Sequence, residues 1–212
     1  MEDLTTLRKM RETGRAIEIF DDFIRSLENV KPHLNGEFYK GIEAIIACKN
    51  RGGKVVTTGM GKAGIAMKKF TATLCSFGIS SCYLHPGEAS HGDLGVLTKN
   101  DVLFVASTSG KTREVLETVE FSIKNLHVTT VIGLTSHPDS PIRNLSNIVI
   151  DMGKIKEIGK IGLAPTTSIT VMQTITDTMA ILISECQGFT KEDFGLYHHS
   201  GYLGEVARGE NR

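Results

Sequence analysis

Five short apolar runs, each followed by room for a helix, constrain this chain more than any other feature. They are Lys54 to Thr58, Ser80 to Leu84, Val102 to Ala106, Thr129 to Leu134 and Ile148 to Asp151. Apolar strands of this length alternating with helical stretches predict an α/β three-layer sandwich. Its five-stranded parallel sheet is covered by helices on both faces, and ligands bind at the carboxyl ends of the strands. A helix is expected after the first strand through Thr73, with others from Arg113 to Asn125, Pro141 to Leu145, and about Thr166 to Gln187, where Gly188 stops the last. Ahead of every strand, Ile17, Phe20, Phe23, Ile24 and Leu27 recur at three and four within a helix expected from Leu7 to Val30. Phe38 to Cys48 repeats the pattern beyond Pro32. Helices placed so early must cover a face of the sheet or pack on a partner chain.

The 212 residues fit one α/β domain. Lysine plus arginine and aspartate plus glutamate both count 24, without a long run of either sign, so nothing suggests a nucleic-acid groove or a membrane surface. The opening Met1-Glu2-Asp3-Leu4-Thr5-Thr6 is acidic and polar rather than a signal core, and a cytoplasmic location is expected. Cys48, Cys75, Cys82 and Cys186 form no Cys-x-x-Cys pair, which argues against a disulfide framework or zinc finger and for buried, inert thiols.

The chemistry gathers in the turns. Ser107-Thr108-Ser109-Gly110-Lys111-Thr112 lies where the third strand gives way to a helix. Hydroxyls and backbone N–H groups at a helix N-terminus are suited to a phosphate. An ordinary helix cap needs one hydroxyl, and this turn has four. Gly110-Lys111-Thr112 resembles the end of a Walker A loop, but the opening glycine of that pattern would fall on Val105, inside a strand, which argues against ATP hydrolysis. Gly59-x-Gly61-x-x-Gly64 matches the dinucleotide fingerprint, yet the second strand leads into Leu84-His85-Pro86 where a nicotinamide site wants an acidic residue. The stretch from His85 to Asp93 gathers His85, Glu88, His91 and Asp93, which serve as a hydrogen-bonding scaffold or a metal site.

Several separated motifs together resemble the sugar isomerase (SIS) domain and, within it, the D-arabinose 5-phosphate isomerases. They are Gly59-Met60-Gly61-Lys62, His85-Pro86-Gly87-Glu88-Ala89 with His91-Gly92-Asp93-Leu94-Gly95, Ser107-x-Ser109-Gly110, Gly162-Leu163-Ala164-Pro165-Thr166-Thr167-Ser168, and Gly188-Phe189-Thr190-x-Glu192-Asp193-Phe194. The resemblance runs from about Lys54 to Gly204. It implies a flavodoxin-like sheet and homotetramers whose active sites draw on more than one subunit. It also implies cofactor-independent interconversion of D-ribulose 5-phosphate and D-arabinose 5-phosphate, a step toward lipopolysaccharide or capsule sugars. On this reading residues 1–212 form one SIS domain, with N-terminal helices over 7–50, an α/β core over 54–187 and an active-site tail over 188–212. Longer members carry a CBS pair beyond this point, so a short form is expected.

The resemblance places the catalytic roles on Lys62, Glu114, Glu157 and His198, and a metal-binding histidine on His91. Phosphate and substrate contacts are expected from Gly59, Gly61, Ser107, Thr108, Ser109, Thr112, Thr166, Thr167 and Ser168. Moving a carbonyl between C1 and C2 needs a proton shuttle, for which Glu157 is the candidate if burial raises its pKa. Lys62 would stabilise the enediolate or hold phosphate. His198 would open the cyclic sugar. Four positions depart from the family pattern: Ala63 replaces a serine, Lys111 an acidic residue, and in the tail His198-His199-Ser200-Gly201 replaces His-Pro-Gly-Gly, losing the proline at 199 and one glycine at 200. These leave open isomerisation of another phosphosugar, such as a hexulose 6-phosphate; a non-catalytic sugar phosphate sensor is a further alternative, against which the retained Lys62, Glu114, Glu157 and His198 argue.

Overall fold

The structure is a computed structural model that describes residues 2–209; Met1 and residues 210–212 of the expected tail lie outside the described residues. Five strands, β1 (Val55–Gly59), β2 (Ser81–Leu84), β3 (Val102–Ala106), β4 (Thr130–Thr135) and β5 (Ile148–Asp151), form one parallel sheet in the order β2-β1-β3-β4-β5. This is the flavodoxin-like order, in which the chain leaves β1 toward one edge and returns at β3 to build toward the other.

Residues on each strand alternate between the two faces. Val102, Phe104 and Ala106 face one core with Val55, Ile132 and Ile150. Leu103 and Val105 face the other with Val56 and Val131. The first core is closed by α3 (Gly36–Asn50), α4 (Lys62–Ser76) and α8 (Thr167–Cys186), which contribute Phe38, Ile45, Met67, Phe70, Met172 and Met179. The Phe70 and Phe104 rings meet edge to face at 5.0 Å. The second core is closed by α6 (Arg113–Leu126) and α7 (Pro141–Leu145) through Val115, Val119 and Ile142. Burial on both faces is why the strands read as unbroken apolar runs rather than as polar and apolar alternation.

Ahead of the sheet, the single helix expected from Leu7 to Val30 is two helices. They are α1 (Glu2–Glu12) and α2 (Arg15–Glu28), parted at Gly14, whose φ of 67° lies in the left-handed region where glycine has no Cβ clash. Their apolar stripe is open to solvent, with Ile17 69% and Phe20 67% exposed. After β2 come a short helix, α5 (Pro86–Ala89), and a 3-10 turn over Asp93–Val96. The tail, expected as an ordered turn, forms α9 (Lys191–Tyr197) and α10 (Gly201–Ala207). A reciprocal Thr190–Asp193 capping box starts α9.

Cys48 is buried and Cys82 half-buried, and burial pushes both thiols up. Cys75 and Cys186 are exposed, which corrects the expectation that all four are buried, because each sits near the outer end of a helix. No helix of the described residues is long and apolar enough to cross a membrane.

Candidate active site

The strand order places a crevice between the carboxyl ends of β1 and β3, where connections depart in opposite directions. A pocket of about 320 Å³ opens there. Its walls come from the β1–α4 turn (Met60, Lys62, Ala63), the β3–α6 turn (Ser107, Thr108, Ser109, Thr112), the residues after β4 (Ser136, His137), and Glu157 with Pro165, Ser168 and Ile169. These segments lie far apart in the chain and meet because each follows a strand of the same parallel sheet.

The β1–α4 turn shows why its glycines are there. A Cβ on Gly59 would press on Ala106 O at 2.9 Å, and one on Gly64 would meet both Gly59 O and the Tyr83 hydroxyl at 2.5 Å. Gly61 caps α4 at φ 61°. Tyr83 donates to Gly59 O at 2.7 Å, and its phenol is pushed up by burial. Gly59 and Gly61 shape the turn rather than line the pocket. Lys62, at the first position of α4, does line it, and no ion pair engages Lys62 among the described residues.

In the β3–α6 turn Ser107 is buried, and its hydroxyl lies 3.2 Å from that of Thr112. Gly110 N donates to Ser107 Oγ at 3.0 Å and Lys111 N to Ser109 Oγ at 3.3 Å. Gly110 has a φ of 62°, and a side chain there would collide with Ser140 and Ile142. Thr112 is the N-cap of α6 but makes no side-chain cap bond. A helix N-terminus carrying partial positive charge thus opens onto a rim of hydroxyls, an arrangement that suits a dianionic phosphate.

The opposite wall is built differently. Glu157 Oε2 accepts from the backbone N–H groups of Thr166 at 2.9 Å and Thr167 at 2.8 Å, and Oε1 from Ser168 N at 3.4 Å. Thr167 Oγ1 in turn accepts from Ile158 N at 3.1 Å, tying the loop to the helix. The carboxylate therefore caps α8 from nine positions upstream of Thr166, half-buried in a seat of backbone N–H groups. Thr166 and Thr167 act through this seat. Ser168, 1% exposed, lines the pocket itself and its Oγ has no protein partner.

The structure brings Lys62, Ser107, Thr108, Ser109, Thr112, Glu157 and Ser168 together. It leaves three expected residues apart. Glu114, 38% exposed and 3.9 Å from Arg113, faces a separate cavity of about 580 Å³ with Pro86, Ser90 and Phe121. His198 stacks on Phe194 with ring centroids 3.8 Å apart, its Nδ1 2.9 Å from Phe194 O. Phe189 packs on Phe77, and Tyr197 lies against Gly78, at the turn from α4 into β2. That turn is at the amino ends of the strands, so His198 is across the sheet from the pocket. His91 is exposed, and among the described residues no three His, Cys, Asp or Glu are grouped to hold a metal ion. Ser136 and His137 were missed, although polar residues directly after an apolar strand are the same signal that marked Ser107.

Residues 45–182 match the SIS domain family. The chain belongs to that family. The chain is 40% identical over 179 residues to the arabinose 5-phosphate isomerase KdsD of Pseudomonas aeruginosa, a match over 84% of this chain and 53% of that one. The chain thus spans about half the length of the curated relatives it matches. Among solved structures, a proposed phosphosugar isomerase involved in capsule formation from Bacteroides fragilis has 36% identity and a TM-score of 0.85, covering 90% of this chain and 99% of that one. An Escherichia coli CFT073 protein in complex with arabinose 5-phosphate has 34% identity and a TM-score of 0.79, covering 93% and 98%. These structures share the SIS domain's three layers.

Proposed function

We propose that the chain is a cofactor-independent aldose–ketose isomerase interconverting D-ribulose 5-phosphate and D-arabinose 5-phosphate. The observation that carries this is a single pocket holding a hydroxyl-rimmed helix N-terminus, a lysine and a fixed carboxylate. The name of the Pseudomonas relative and the arabinose 5-phosphate bound to the E. coli neighbour support the substrate. In this mechanism the phosphoryl group binds at Ser107, Ser109 and Thr112. Glu157 takes a proton from C1 of the ketose through Oε1, the oxygen less engaged with α8, and returns it to C2. Lys62 stabilises the negative oxygen of the enediolate between the two steps.

His198 and Glu114 complete the site only if further copies of the chain supply them, because their own chain holds them away from the pocket. A homotetramer with shared sites fits this, and the exposed stripe of α1 and α2 is a surface such an assembly would bury. A cytoplasmic role in lipopolysaccharide or capsule sugar supply belongs to the same reading.

A coupled assay with ribulose 5-phosphate tests the reaction. Turnover that Glu157→Gln abolishes supports it, whereas binding without conversion in calorimetry makes the protein a sensor. Ala63 lines the pocket where the family pattern has a serine, so a panel of pentose and hexose phosphates checks the substrate. Mixing inactive Glu157→Gln and His198→Ala proteins tests site sharing. Restored activity is expected if one site draws these residues from different copies.

A further inference from the structure

Three buried side-chain polar atoms among the described residues have no hydrogen-bond partner, and two of them, His137 Nδ1 and Ser168 Oγ, belong to residues lining the same pocket. A buried polar group left unpaired is costly, and since both residues line one pocket, a guest there can supply the missing partner once the side chain turns toward it. Ser168 stands beside Glu157 at the end of the pocket where the proton is moved. His137 belongs to the wall formed by the residues after β4. It follows Ser136, whose backbone N–H and hydroxyl donate to Thr108 O at 3.1 and 3.0 Å, and Thr135 Oγ1 donates to the same carbonyl at 3.2 Å. The residues after β4 are thereby tied directly to the β3–α6 turn.

The backbone of His137 is held from behind as well. Arg143 Nε donates to His137 O at 2.8 Å, and the same guanidinium pairs with Asp151 Oδ2 at 2.8 Å. Asp151 Oδ1 accepts from Gly153 N at 2.8 Å, which fixes the carboxylate in turn. Backbone and neighbours are thus fixed while Nδ1 has no protein partner. The χ2 torsion of a histidine is soft, so a turn of the ring presents Nδ1 to the pocket without moving the chain.

We infer that His137 is a phosphate ligand of this pocket, donating from Nδ1 to a phosphoryl oxygen that the Ser107–Thr112 turn holds from the other side. The inference rests on the reading that this pocket takes a sugar phosphate. It assigns His137 to binding rather than to proton transfer at carbon.

The test measures binding of inorganic phosphate and of arabinose 5-phosphate by calorimetry, with KM and kcat for ribulose 5-phosphate alongside. His137→Leu is expected to weaken both ligands about tenfold or more and to raise KM in proportion, with kcat changed less than about threefold. His137→Asn places an amide nitrogen near the Nδ1 position and is expected to recover most of the affinity. Should the leucine variant not fold, His137→Gln, whose amide reaches past that position, is expected to show the same loss. Unchanged phosphate affinity in these variants overturns the inference, and so does weakened arabinose 5-phosphate binding with inorganic phosphate unaffected, which would mean a sugar contact. Wild-type protein that binds both ligands without turnover sinks the isomerase reading and leaves His137 in place.

Discussion

Two helix N-termini face the same pocket, and the protein treats them in opposite ways. At α8 the first-turn N–H groups are taken by the chain's own anion, the Glu157 carboxylate. At α6 the N-cap Thr112 makes no cap bond, and the neighbouring hydroxyls of Ser107 and Ser109 turn inward on their own loop. Both termini carry the same partial charge, so the difference is one of purpose. A terminus closed by a tethered carboxylate fixes that carboxylate in space, which a proton shuttle needs. On the proposed reading, a terminus left without its cap and lined with hydroxyls seats an anion that comes and goes. Stability and turnover should therefore respond to substitution in opposite patterns at the two ends.

The largest effect is expected at Glu157. Glu157→Gln keeps an oxygen acceptor for Thr166 and Thr167 but cannot carry a proton away from carbon, so kcat should fall by roughly 10²–10⁴ while KM stays within about threefold. Steady-state kinetics on the coupled assay reads this directly. Equal losses in Glu157→Gln and in Ser109→Ala would erase the division of labour between the two helix ends.

Asp101 sharpens the comparison, because it is a carboxylate just as closely held but at the amino end of β3. It is 1% exposed and accepts from Lys54 N at 2.9 Å, Lys54 Nζ at 2.7 Å and Thr98 N at 2.7 Å. Burial alone pushes its carboxyl up, but these hydrogen bonds outweigh burial and hold it below the usual carboxylate range. A depressed folded-state pKa means that Asp101 contributes its full stabilisation above the unfolded carboxylate value and loses it as pH falls through the folded one. Asp101→Asn should cost about 3 kcal/mol at neutral pH, the low end for breaking a buried pair because Lys54 keeps 25% exposure, and should flatten the acid side of the stability profile. Denaturant melts across pH measure both, and kcat should be unchanged.

How far the sequence was legible follows from the range of the forces involved. The strand and helix rhythm from Val55 to Cys186 could be read because burial on both faces of a parallel sheet leaves a local signature. Polar turns such as Ser107 to Thr112 stood out because they interrupt it. The break at Gly14 was hidden, since one left-handed glycine leaves the apolar spacing of α1 and α2 intact. The tail helices were hidden too, because both are short: α9 is held by a capping box and by Tyr197 against Gly78, and Gly204 of α10 packs closely on His198 O. Glu157 as a cap for α8 could not be foreseen either, because the stretch between them is an irregular loop. The separation of His198 from Lys62 depends on which end of the sheet the tail returns to, which no local pattern encodes.

The next effect belongs to the open terminus. Ser109→Ala and Thr112→Val should each raise KM for a sugar phosphate by about tenfold, the range for one hydrogen bond to a charged group, with little change in kcat. Inorganic phosphate should compete less well against both variants. A loss of kcat instead would move the reacting carbons, rather than the phosphoryl group, to this end of the pocket.

The smallest effect separates the two termini most cleanly, because it concerns folding and not catalysis. Thr112 makes no cap bond, so Thr112→Val costs α6 no capping interaction and gives up only the 3.2 Å contact with Ser107 Oγ, and unfolding free energy should fall by about 1 kcal/mol or less. Glu157→Ala strips α8 of a carboxylate that bonds three N–H groups and should cost about 1–2 kcal/mol, the range for losing a strong N-cap. Adding inorganic phosphate extends the contrast. By mass action it should raise the melting temperature of the wild type, and of Glu157→Ala by a similar amount, while its effect on Thr112→Val should be smaller because the seat itself is weakened. If phosphate stabilised Thr112→Val as much as wild type, the anion would be bound elsewhere, and the unpaired end of α6 would be a structural accident rather than a binding site.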